Sequence, residues 1–199
     1  ATPLAICEFK GIYGGYYQLV DRLLKQGMKI DRIGLQCHLH DNDTFKNIYN
    51  AERLYGLLDG YSKLGKPIVL SEIGLSTDDE EIQAEATEQL YKICFSVENM
   101  SGVFWWNLDD NGILCDKQRN AMAENLPNGG LCRNGKPKAA YRALDRLINH
   151  EWTTSGKAKS SDGKATFRGF YGEYELEFYV NKIIDLENKK RCFCTSFLI

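Results

Sequence analysis

The stretch GKPIVLSEIGLST, residues 65–77, decides the fold of this chain. An apolar run from Ile68 to Leu70 leads to one carboxylate, Glu72, and apolar residues resume directly after it. Pro67 stands at the start of the run, where the missing N–H of a proline does least harm to a strand. The stretch therefore predicts a buried β-strand that carries an acid near its end. The alternative to a functional acid is a structural one that caps a loop or pairs with a lysine.

Similar apolar segments occur on both sides of this stretch. Short apolar segments that predict strands alternate with segments whose apolar residues recur at helical spacing. One such helix predicts a buried stripe with Tyr55, Leu58 and Tyr61, and the next predicts one with Ile82 and Leu90. The predicted strands are PLAICEF, RIGLQCHLH, PIVLSEIGL and GVFWWNL, and the predicted helices are GGYYQLVDRLLKQG, DTFKNIYNAERLYGLLDGYSKLG, DDEEIQAEATEQLYKICFSVEN and PKAAYRALDRLINHEW.

This alternation over residues 3–152 predicts an α/β fold with parallel strands. A complete (β/α)8 barrel takes about 250 residues, so four strand–helix units are half of one. The pattern is therefore typical of either a small open α/β sheet or a partial TIM barrel. After Trp152 the chain becomes polar and then alternates, which predicts a small β-rich extension. We expect two domains, 1–152 and 153–199, with the second cut short because its tail, NKKRCFCTSFLI, fits no element.

Composition excludes several classes of function. The 199 residues carry a net charge of −2, which gives no support to a nucleic-acid partner. Since no apolar stretch approaches the ~18 residues of a membrane span, we expect no membrane association. The seven cysteines include no zinc-type C-x-x-C pair. Buried free thiols are one interpretation of them, and a loop disulfide between Cys115 and Cys132 is possible in a secreted protein.

Polar and aromatic side chains follow the predicted strands at their carboxyl ends. In a parallel α/β sheet, ligands bind at this edge. A carboxylate, hydrogen-bonding partners and an aromatic platform together are typical of a sugar site. The candidate residues are Cys7, Glu8, Gln36, His38, Glu72, Trp105 and Trp106.

Four segments carry a resemblance to a known family. DRIGLQCHLH, GKPIVLSEIGLS, GVFWWNLDDNG and GGLCRNGKPKAAYRAL resemble, in this order, strands six, seven and eight and the final helix of the family-10 glycoside hydrolases, the endo-1,4-β-xylanases. LAICEF stands where their fifth strand would be, and the later segment FRGFYGEYEL is similar to a C-terminal extension of some members. The resemblance implies a partial (β/α)8 barrel, equivalent to strands five to eight.

The resemblance also implies roles for individual residues in the retaining hydrolysis of xylan, which uses two carboxylates about 5 Å apart. Glu72 matches the catalytic nucleophile, and His38 matches the histidine that hydrogen-bonds it. Gln36 matches a glutamine near the acid/base. Trp106 matches the tryptophan that stacks on the sugar, so Trp105 would point outward.

The chain departs from the family pattern in three places. The family's general acid/base ends strand four, and no such strand precedes residue 3. Cys7 replaces an amide on strand five, and Glu8 is a poor substitute acid because it alternates with Cys7. Asn111–Ile113 replace a second aromatic platform. Since a general acid contributes about 10²- to 10⁴-fold, we expect this chain to be weak or inactive by itself.

Two rival functions come from other features. The segment HLHDND, with His38, His40, Asp41 and Asp43, is similar to part of an amidohydrolase metal site, but that chemistry needs further ligands on other strands. Exposed aromatics would instead suit a non-catalytic carbohydrate-binding protein. The candidates for that role are Trp106, Tyr171 and Tyr174.

The family resemblance is the interpretation that we carry forward. It implies xylan or another β-1,4-linked polysaccharide as the partner of this chain. It also implies that the chain requires no cofactor and no metal. A secreted, extracellular location follows from the resemblance, although no signal peptide is present in these 199 residues.

Overall fold

A computed structural model gives the fold of the chain. It falls into two compact units, Ala1–Leu147 and Ile148–Ile199, which are described separately below. The domain boundary that the sequence indicates, after residue 152, lies slightly later and stays a prediction. The residues that the structure describes are 5–8, 14–40, 50–110, 128–159, 161, 164–170, 174–177 and 191–194.

The first unit is built on a four-stranded parallel sheet. Its strands follow chain order, and each of the three strand pairs is parallel. The predicted alternation of strands and helices is confirmed. The elements are β1 (Ala5–Glu8), α1 (Gly14–Lys25), β2 (Arg32–His40), α2 (Ala51–Ser62), β3 (Ile68–Ser76), α3 (Glu80–Ser96) and β4 (Met100–Trp105).

Helices α1, α2 and α3 pack against one face of this sheet. Alternate residues of β2, Ile33 and Leu35, share a single core with residues from all three helices. A doubly wound sheet has helices on both faces, whereas a barrel wall has them on one. The packing therefore favours a barrel segment over an open sheet. The fully buried members of this core include Val20, Ile30, Ile33, Leu35, Leu58, Ile68, Leu70 and Ile73.

Side-chain caps fix the starts of α2 and α3. Asn50 Oδ1 accepts a hydrogen bond from the backbone N–H of Arg53 at 3.1 Å. Asp79 Oδ1 accepts from the N–H groups of Glu81 and Ile82, at 2.9 and 3.2 Å. Such caps satisfy backbone donors that have no partner within the helix. The described part of the long predicted helix therefore begins at Ala51, and residues 41–49 lie outside the description.

Two residues of the predicted helical stripes are not in the core. Tyr55 is 43% exposed, and Leu54 is buried in its place. Ile82 is 40% exposed, and its neighbour Gln83 is fully buried. The Gln83 amide donates to the backbone oxygen of Leu75 at 2.8 Å, so this polar side chain satisfies a carbonyl near the end of β3. The prediction was wrong for Ile82 because hydrophobicity by itself does not register such a demand for a donor.

A short hairpin and a helix complete the first unit. Strands β5 (Cys132–Arg133) and β6 (Lys136–Pro137) are antiparallel. The turn between them places Asn134 and Gly135 at positive φ, 53° and 71°, as type I′ hairpin turns require. Helix α4 (Ala139–Arg146) follows and continues as a π-helical turn, Leu147–Glu151. The predicted last helix is therefore confirmed, with an irregular final turn.

The second unit contains a two-stranded antiparallel sheet. Strand β7 (Tyr174–Glu177) lies inside the predicted β segment, which is confirmed there. It pairs with β8 (Arg191–Cys194). The expectation that the tail forms no element was wrong, because four of its residues pair with β7. In the same unit the rings of Phe167 and Tyr174 meet edge to face, with centroids 5.3 Å apart.

Candidate active site

A β-bulge in β3 determines where Glu72 lies. Leu70 pairs with Leu35 of β2, but the next pair joins Glu72 with Gln36. Ser71 is therefore the extra residue of the bulge. The pairing of β3 with β4 shifts over the same interval. Ser71 Oγ donates a hydrogen bond to the backbone oxygen of Leu35 at 3.2 Å, which ties the bulge to the neighbouring strand.

The bulge reverses the alternation of side chains along β3. Before it, Ile68 and Leu70 face the helices, and after it Ile73 and Leu75 are the residues that pack into the hydrophobic core. Because strand side chains alternate strictly, a regular strand would place Glu72 on the same face as Leu70. With the bulge, Glu72 lies on the opposite face of the sheet, away from the helices.

Gln36 and His38 hold the Glu72 carboxylate. Gln36 Nε2 donates to Oε1 of Glu72 at 2.9 Å. His38 Nε2 lies 3.2 Å from Oε2, and since a carboxylate can only accept, that nitrogen carries the hydrogen. The side chain of His38 is 9% exposed and that of Glu72 is 26% exposed. The carboxylate is thus oriented by one donor on each oxygen and remains open to a ligand.

Trp106 lies beside this group. It directly follows β4, and its backbone N–H donates to the oxygen of Ile73 at 2.7 Å. Its ring meets the His38 ring edge to face, with centroids 6.3 Å apart and an interplanar angle of 82°. Trp106 is 42% exposed, so it offers a free aromatic surface next to the carboxylate. The structure therefore brings together all four predicted site residues, Gln36, His38, Glu72 and Trp106.

The neighbouring Trp105 has a different environment. It is partly buried and packs against the hydrophobic clusters of the helix side. Its indole Nε1 donates to the backbone oxygen of Gly129 at 2.9 Å. Of the two adjacent tryptophans, one therefore packs into the core and the other is presented to solvent.

Cys37 stands between Gln36 and His38 in sequence but belongs to the other face of β2. It is buried with Leu39, Leu75 and Ala86. Burial raises the pKa of the Cys37 thiol to about 12. A thiol with such a pKa is protonated near neutral pH, so Cys37 is not a nucleophile of this site.

Several predicted residues lie outside what the structure describes. This holds for the side chains of Cys7, Glu8 and His40, although the backbone register pairs Cys7 with Gly34 and Glu8 with Leu35. Cys132, the possible disulfide partner of Cys115, is described and is a buried free thiol. The other residues outside the description are Asp41, Asp43, Asn111, Gly112, Ile113, Cys115 and Tyr171.

Metal centres and membrane spans are both missing from the described ranges. Within them, no three His, Cys, Asp or Glu residues are grouped so that they could hold a metal ion. None of the helices in the same ranges combines the length and the apolar character needed to cross a bilayer.

A comparison with protein-family models shows the family of the chain. The model of glycosyl hydrolase family 10 matches residues 10–146. The chain belongs to glycosyl hydrolase family 10. The match spans α1 to α4 and includes Gln36, His38, Glu72 and Trp106.

Two curated proteins that resemble this family-10 chain are named for different functions. The anti-sigma-I factor RsgI6 of Acetivibrio thermocellus is 32% identical over 160 residues, which are 79% of this chain and 19% of that protein. Endo-1,4-beta-xylanase 3 of Arabidopsis thaliana is 29% identical over 163 residues, 81% of this chain and 19% of the relative. The family-10 chain therefore spans less than a fifth of the length of these curated relatives.

Solved structures share the fold. Xylanase 10B from Thermotoga petrophila RKU-1, determined with xylobiose, superposes with a TM-score of 0.61 at 19% identity. The match covers 74% of the family-10 chain and 46% of that structure. Xylanase 10B from Thermotoga maritima gives a TM-score of 0.60, with 47% of its chain covered. The match thus covers just under half of each of these two xylanase chains.

Sequence reasoning missed two residues that determine the local structure of β3. Ser71 creates the bulge, and buried Gln83 donates to the end of β3. A signal for the bulge is present in the sequence, because the apolar positions switch from even numbers, Ile68 and Leu70, to odd numbers, Ile73 and Leu75. Gln83 has no comparable signal, since its partners are backbone oxygens from distant segments.

Proposed function

We propose that this family-10 chain carries the nucleophile half of a retaining endo-1,4-β-xylanase site. Strands β1 to β4 correspond to strands five to eight of a (β/α)8 barrel, and residues 1–152 form this partial barrel. Residues 153–199 form a separate β-rich extension. Xylan, or another β-1,4-linked polysaccharide, is the substrate, and the chemistry needs no cofactor and no metal.

One observation carries the proposal: the Glu72 carboxylate, midway along the parallel strand β3, is hydrogen-bonded by Gln36 and His38 of the neighbouring strand on the face away from the helices. A carboxylate held by one donor on each oxygen cannot turn freely, so its attack on an anomeric carbon within reach of its oxygens is pre-oriented.

The proposed reaction is a double displacement. A Glu72 oxygen forms a bond to the anomeric carbon of a xylosyl unit, and the bond from that carbon to the leaving oxygen breaks. The leaving oxygen takes a proton from the general acid. Water then attacks the same carbon, gives a proton back to that group and releases Glu72, with overall retention of configuration. His38 and Gln36 position the carboxylate, and Trp106 supports a sugar ring through its exposed face.

The general acid is proposed to lie outside these 199 residues, on a fourth barrel strand. Glu8 is a poor candidate for this role, because it alternates with Cys7 along β1 and only one of the two can face the site. A chain without a general acid should be weak or inactive on xylan, since protonation of the leaving oxygen contributes about 10²- to 10⁴-fold.

The second candidate function is xylan binding without hydrolysis. It is favoured by the exposed Trp106, whose ring can stack on a sugar whether or not a reaction follows. The family match by itself does not decide between the two functions, because one relative at 32% identity is named as an anti-sigma factor and not as a hydrolase. The exposed Trp106 serves either function, whereas an oriented Glu72 carboxylate is required only for hydrolysis.

The two functions can be separated by the leaving group of the substrate. Dinitrophenyl β-xylobioside releases a phenolate that needs no protonation, so the attack by Glu72 does not depend on a general acid. Hydrolysis of the glycosyl-enzyme still lacks its general base, so we expect a burst of about one equivalent of dinitrophenolate per chain, followed by slow turnover. Xylan should be cleaved far more slowly than this burst. Glu72→Gln should abolish the release and retain the binding of xylohexaose.

Each outcome bears on one function. Release of dinitrophenolate by the parent chain and not by Glu72→Gln supports the retaining hydrolase. Binding of xylohexaose without any release, in a chain that circular dichroism shows to be folded, supports the non-catalytic function. Release by both proteins at the same rate would overturn the role of Glu72.

A further inference from the structure

A buried ion pair joins Asp110, the last residue of the segment that follows Trp106, to Lys138. The side chains of Asp110 and Lys138 are 6% and 2% exposed, and Lys138 Nζ lies 3.1 Å from Asp110 Oδ1. The same ammonium donates to the backbone oxygens of Asn128 and Gly130 at 2.8 and 3.0 Å. The ammonium thus has three acceptors, so its burial is compensated by hydrogen bonds.

The Asp110 carboxylate is partnered equally well. Its Oδ1 also accepts from the backbone N–H of Gly130 at 2.8 Å, and its Oδ2 accepts from Arg133 Nε at 3.0 Å. A β-carbon on Gly130 would stand 2.5 Å from the backbone nitrogen of Asp110. This close approach admits only glycine, so the two segments are held at a fixed distance.

Backbone hydrogen bonds join the same segments. The N–H of Cys132 donates to the oxygen of Leu108 at 2.8 Å, and the N–H of Asp110 donates to the oxygen of Cys132 at 2.9 Å. The segment from Asn107 to Asp110 is therefore fixed onto the strand that begins at Cys132. Asn107 itself has a positive φ of 68°, so the chain bends sharply just after Trp106.

This arrangement matters for Trp106 because its own ring is only half enclosed. Because Trp106 is 42% exposed, its ring gains little orientation from core packing. Its position is set by the backbone on both sides, which is β4 before it and the Asn107–Asp110 segment after it. Buried ion pairs often stabilise a fold no more than apolar residues of similar volume would, and in some proteins they are retained because they specify one geometry.

We infer that Asp110 and Lys138 are positioning residues that hold Trp106 where a sugar ring can stack on it. The inference rests on the proposed function, because it concerns the same sugar site. It predicts that loss of the ion pair weakens sugar binding and leaves the attack by Glu72 intact once the sugar is bound.

The test replaces both charges together, as Asp110→Leu with Lys138→Met. This double variant leaves no unpaired buried charge, so it should fold, but its melting temperature should be lower than that of the parent because the backbone N–H of Gly130 loses its acceptor. Asp21→Leu with Lys25→Met is the matched control, because it makes the same two substitutions at an ion pair within α1, whose charged atoms lie 2.7 Å apart.

The binding of xylohexaose is measured by tryptophan fluorescence. The reactivity of Glu72 is measured by trapping with a dinitrophenyl 2-fluoro-β-xylobioside at several concentrations. These data give the trapping rate at saturation and the reagent concentration at half saturation.

We expect the Asp110/Lys138 double variant to bind xylohexaose at least tenfold more weakly and to need a correspondingly higher reagent concentration, at an unchanged saturating rate. The control should match the parent in both. A folded double variant with unchanged binding would overturn the inference. A fall in the saturating rate without a change in binding would also overturn the inference. It would mean that the ion pair positions Glu72 and not Trp106.

Two further outcomes remain informative. If the double variant does not fold, Arg133→Met, which removes one donor to Asp110 from a side chain that is 42% exposed, should weaken binding about threefold. Unchanged binding in Arg133→Met would then overturn the inference. A parent chain that neither binds xylohexaose nor is trapped would contradict the proposed function itself, and the inference with it.

Discussion

The Glu72 carboxylate accepts a hydrogen bond from Gln36 at 2.9 Å because the β-bulge at Ser71 leaves the two side chains on the same face of the sheet. If Ser71 were paired as in a regular strand, alternation from Leu70 would point Glu72 toward the helices. The face on which Glu72 lies thus depends on how the strand accommodates Ser71, a residue that contacts no ligand in the proposed reaction.

Single-residue deletions test this dependence on side-chain alternation. Deletion of Ser71 removes the bulge but keeps Leu70, Glu72 and Ile73 on their present faces, so the core should survive. Deletion of Val69 shortens the strand equally and forces Leu70 off the helix face. We expect the second variant to be less stable by about 2–5 kcal/mol, the usual cost of losing a buried leucine.

Urea titrations followed by circular dichroism measure this difference in the free energy of unfolding. The parent chain is the reference for both deletions. Equal losses of stability in the two variants would contradict the role assigned to the bulge, because they would mean that the strand tolerates either face for Leu70.

The two adjacent tryptophans should respond in opposite ways to truncation. Trp105→Ala removes a side chain that packs on three hydrophobic clusters, so we expect a loss of stability of about 3–5 kcal/mol. Trp106→Ala removes an exposed ring and should leave the melting temperature nearly unchanged. Its effect should appear in the affinity for xylohexaose, which we expect to fall about tenfold.

Thermal melting and fluorescence titration of both variants check this contrast. Each tryptophan variant serves as the control for the other, since both lose an indole from neighbouring positions. A folded Trp106→Ala protein that binds xylohexaose as tightly as the parent would remove this residue from the site.

Glu88 should make the stability of the chain depend on pH under acidic conditions. Its carboxylate pairs with Lys92 at 2.5 Å on the same helix and with Arg146 of α4. The hydrogen bond from Lys92, followed by the charges of Lys92 and Arg146, holds the pKa of Glu88 below its ordinary value of 4.5. A depressed folded-state pKa means that the stabilisation is complete above the ordinary value and is lost as the pH falls through the depressed one.

Glu88→Gln should therefore lower the melting temperature at pH 7 and have a vanishing effect at the lowest pH at which the chain stays folded. The magnitude is about 1 kcal/mol or less, because the pair is partly exposed to solvent. Glu85→Gln, whose partner Gln89 is neutral, is the matched control. A Glu88→Gln effect of the same size at every pH would mean that packing, and not charge, explains it.

Much of the fold could be predicted from the sequence because the relevant signals are local. The apolar runs of β2 and β3 predicted buried strands, and the rule that ligands meet strand ends grouped Gln36, His38 and Glu72. The group was correct but not its place at the strand ends, because Gln36 and Glu72 each lie midway along a strand of 9 residues. The contacts among these three residues could not be predicted from spacing alone. They depend on the pairing of two strands 36 residues apart.

The failures have a common physical origin in tertiary hydrogen bonding. Gln83 replaces Ile82 at the sheet because a carbonyl of Leu75 needs a donor there. Strand β8 was missed because its partner β7 lies in a different segment, and pairing, not composition, defines it. Asp110 and Lys138 were not singled out as a buried pair, because charged residues in sequence are usually solvated.

Glu72, held by Gln36 and His38, is the nucleophile on which the proposed function depends. Its most direct test is covalent trapping with a 2-fluoro-β-xylobioside that carries a dinitrophenyl leaving group, followed by intact mass and peptide mapping. The fluorine slows the breakdown of the glycosyl-enzyme, and the leaving group needs no acid, so the first step can be observed by itself. We predict a single adduct on the peptide that contains Glu72, absent in Glu72→Gln. An adduct on another carboxylate, or none on a chain that circular dichroism shows to be folded, would contradict this role of Glu72.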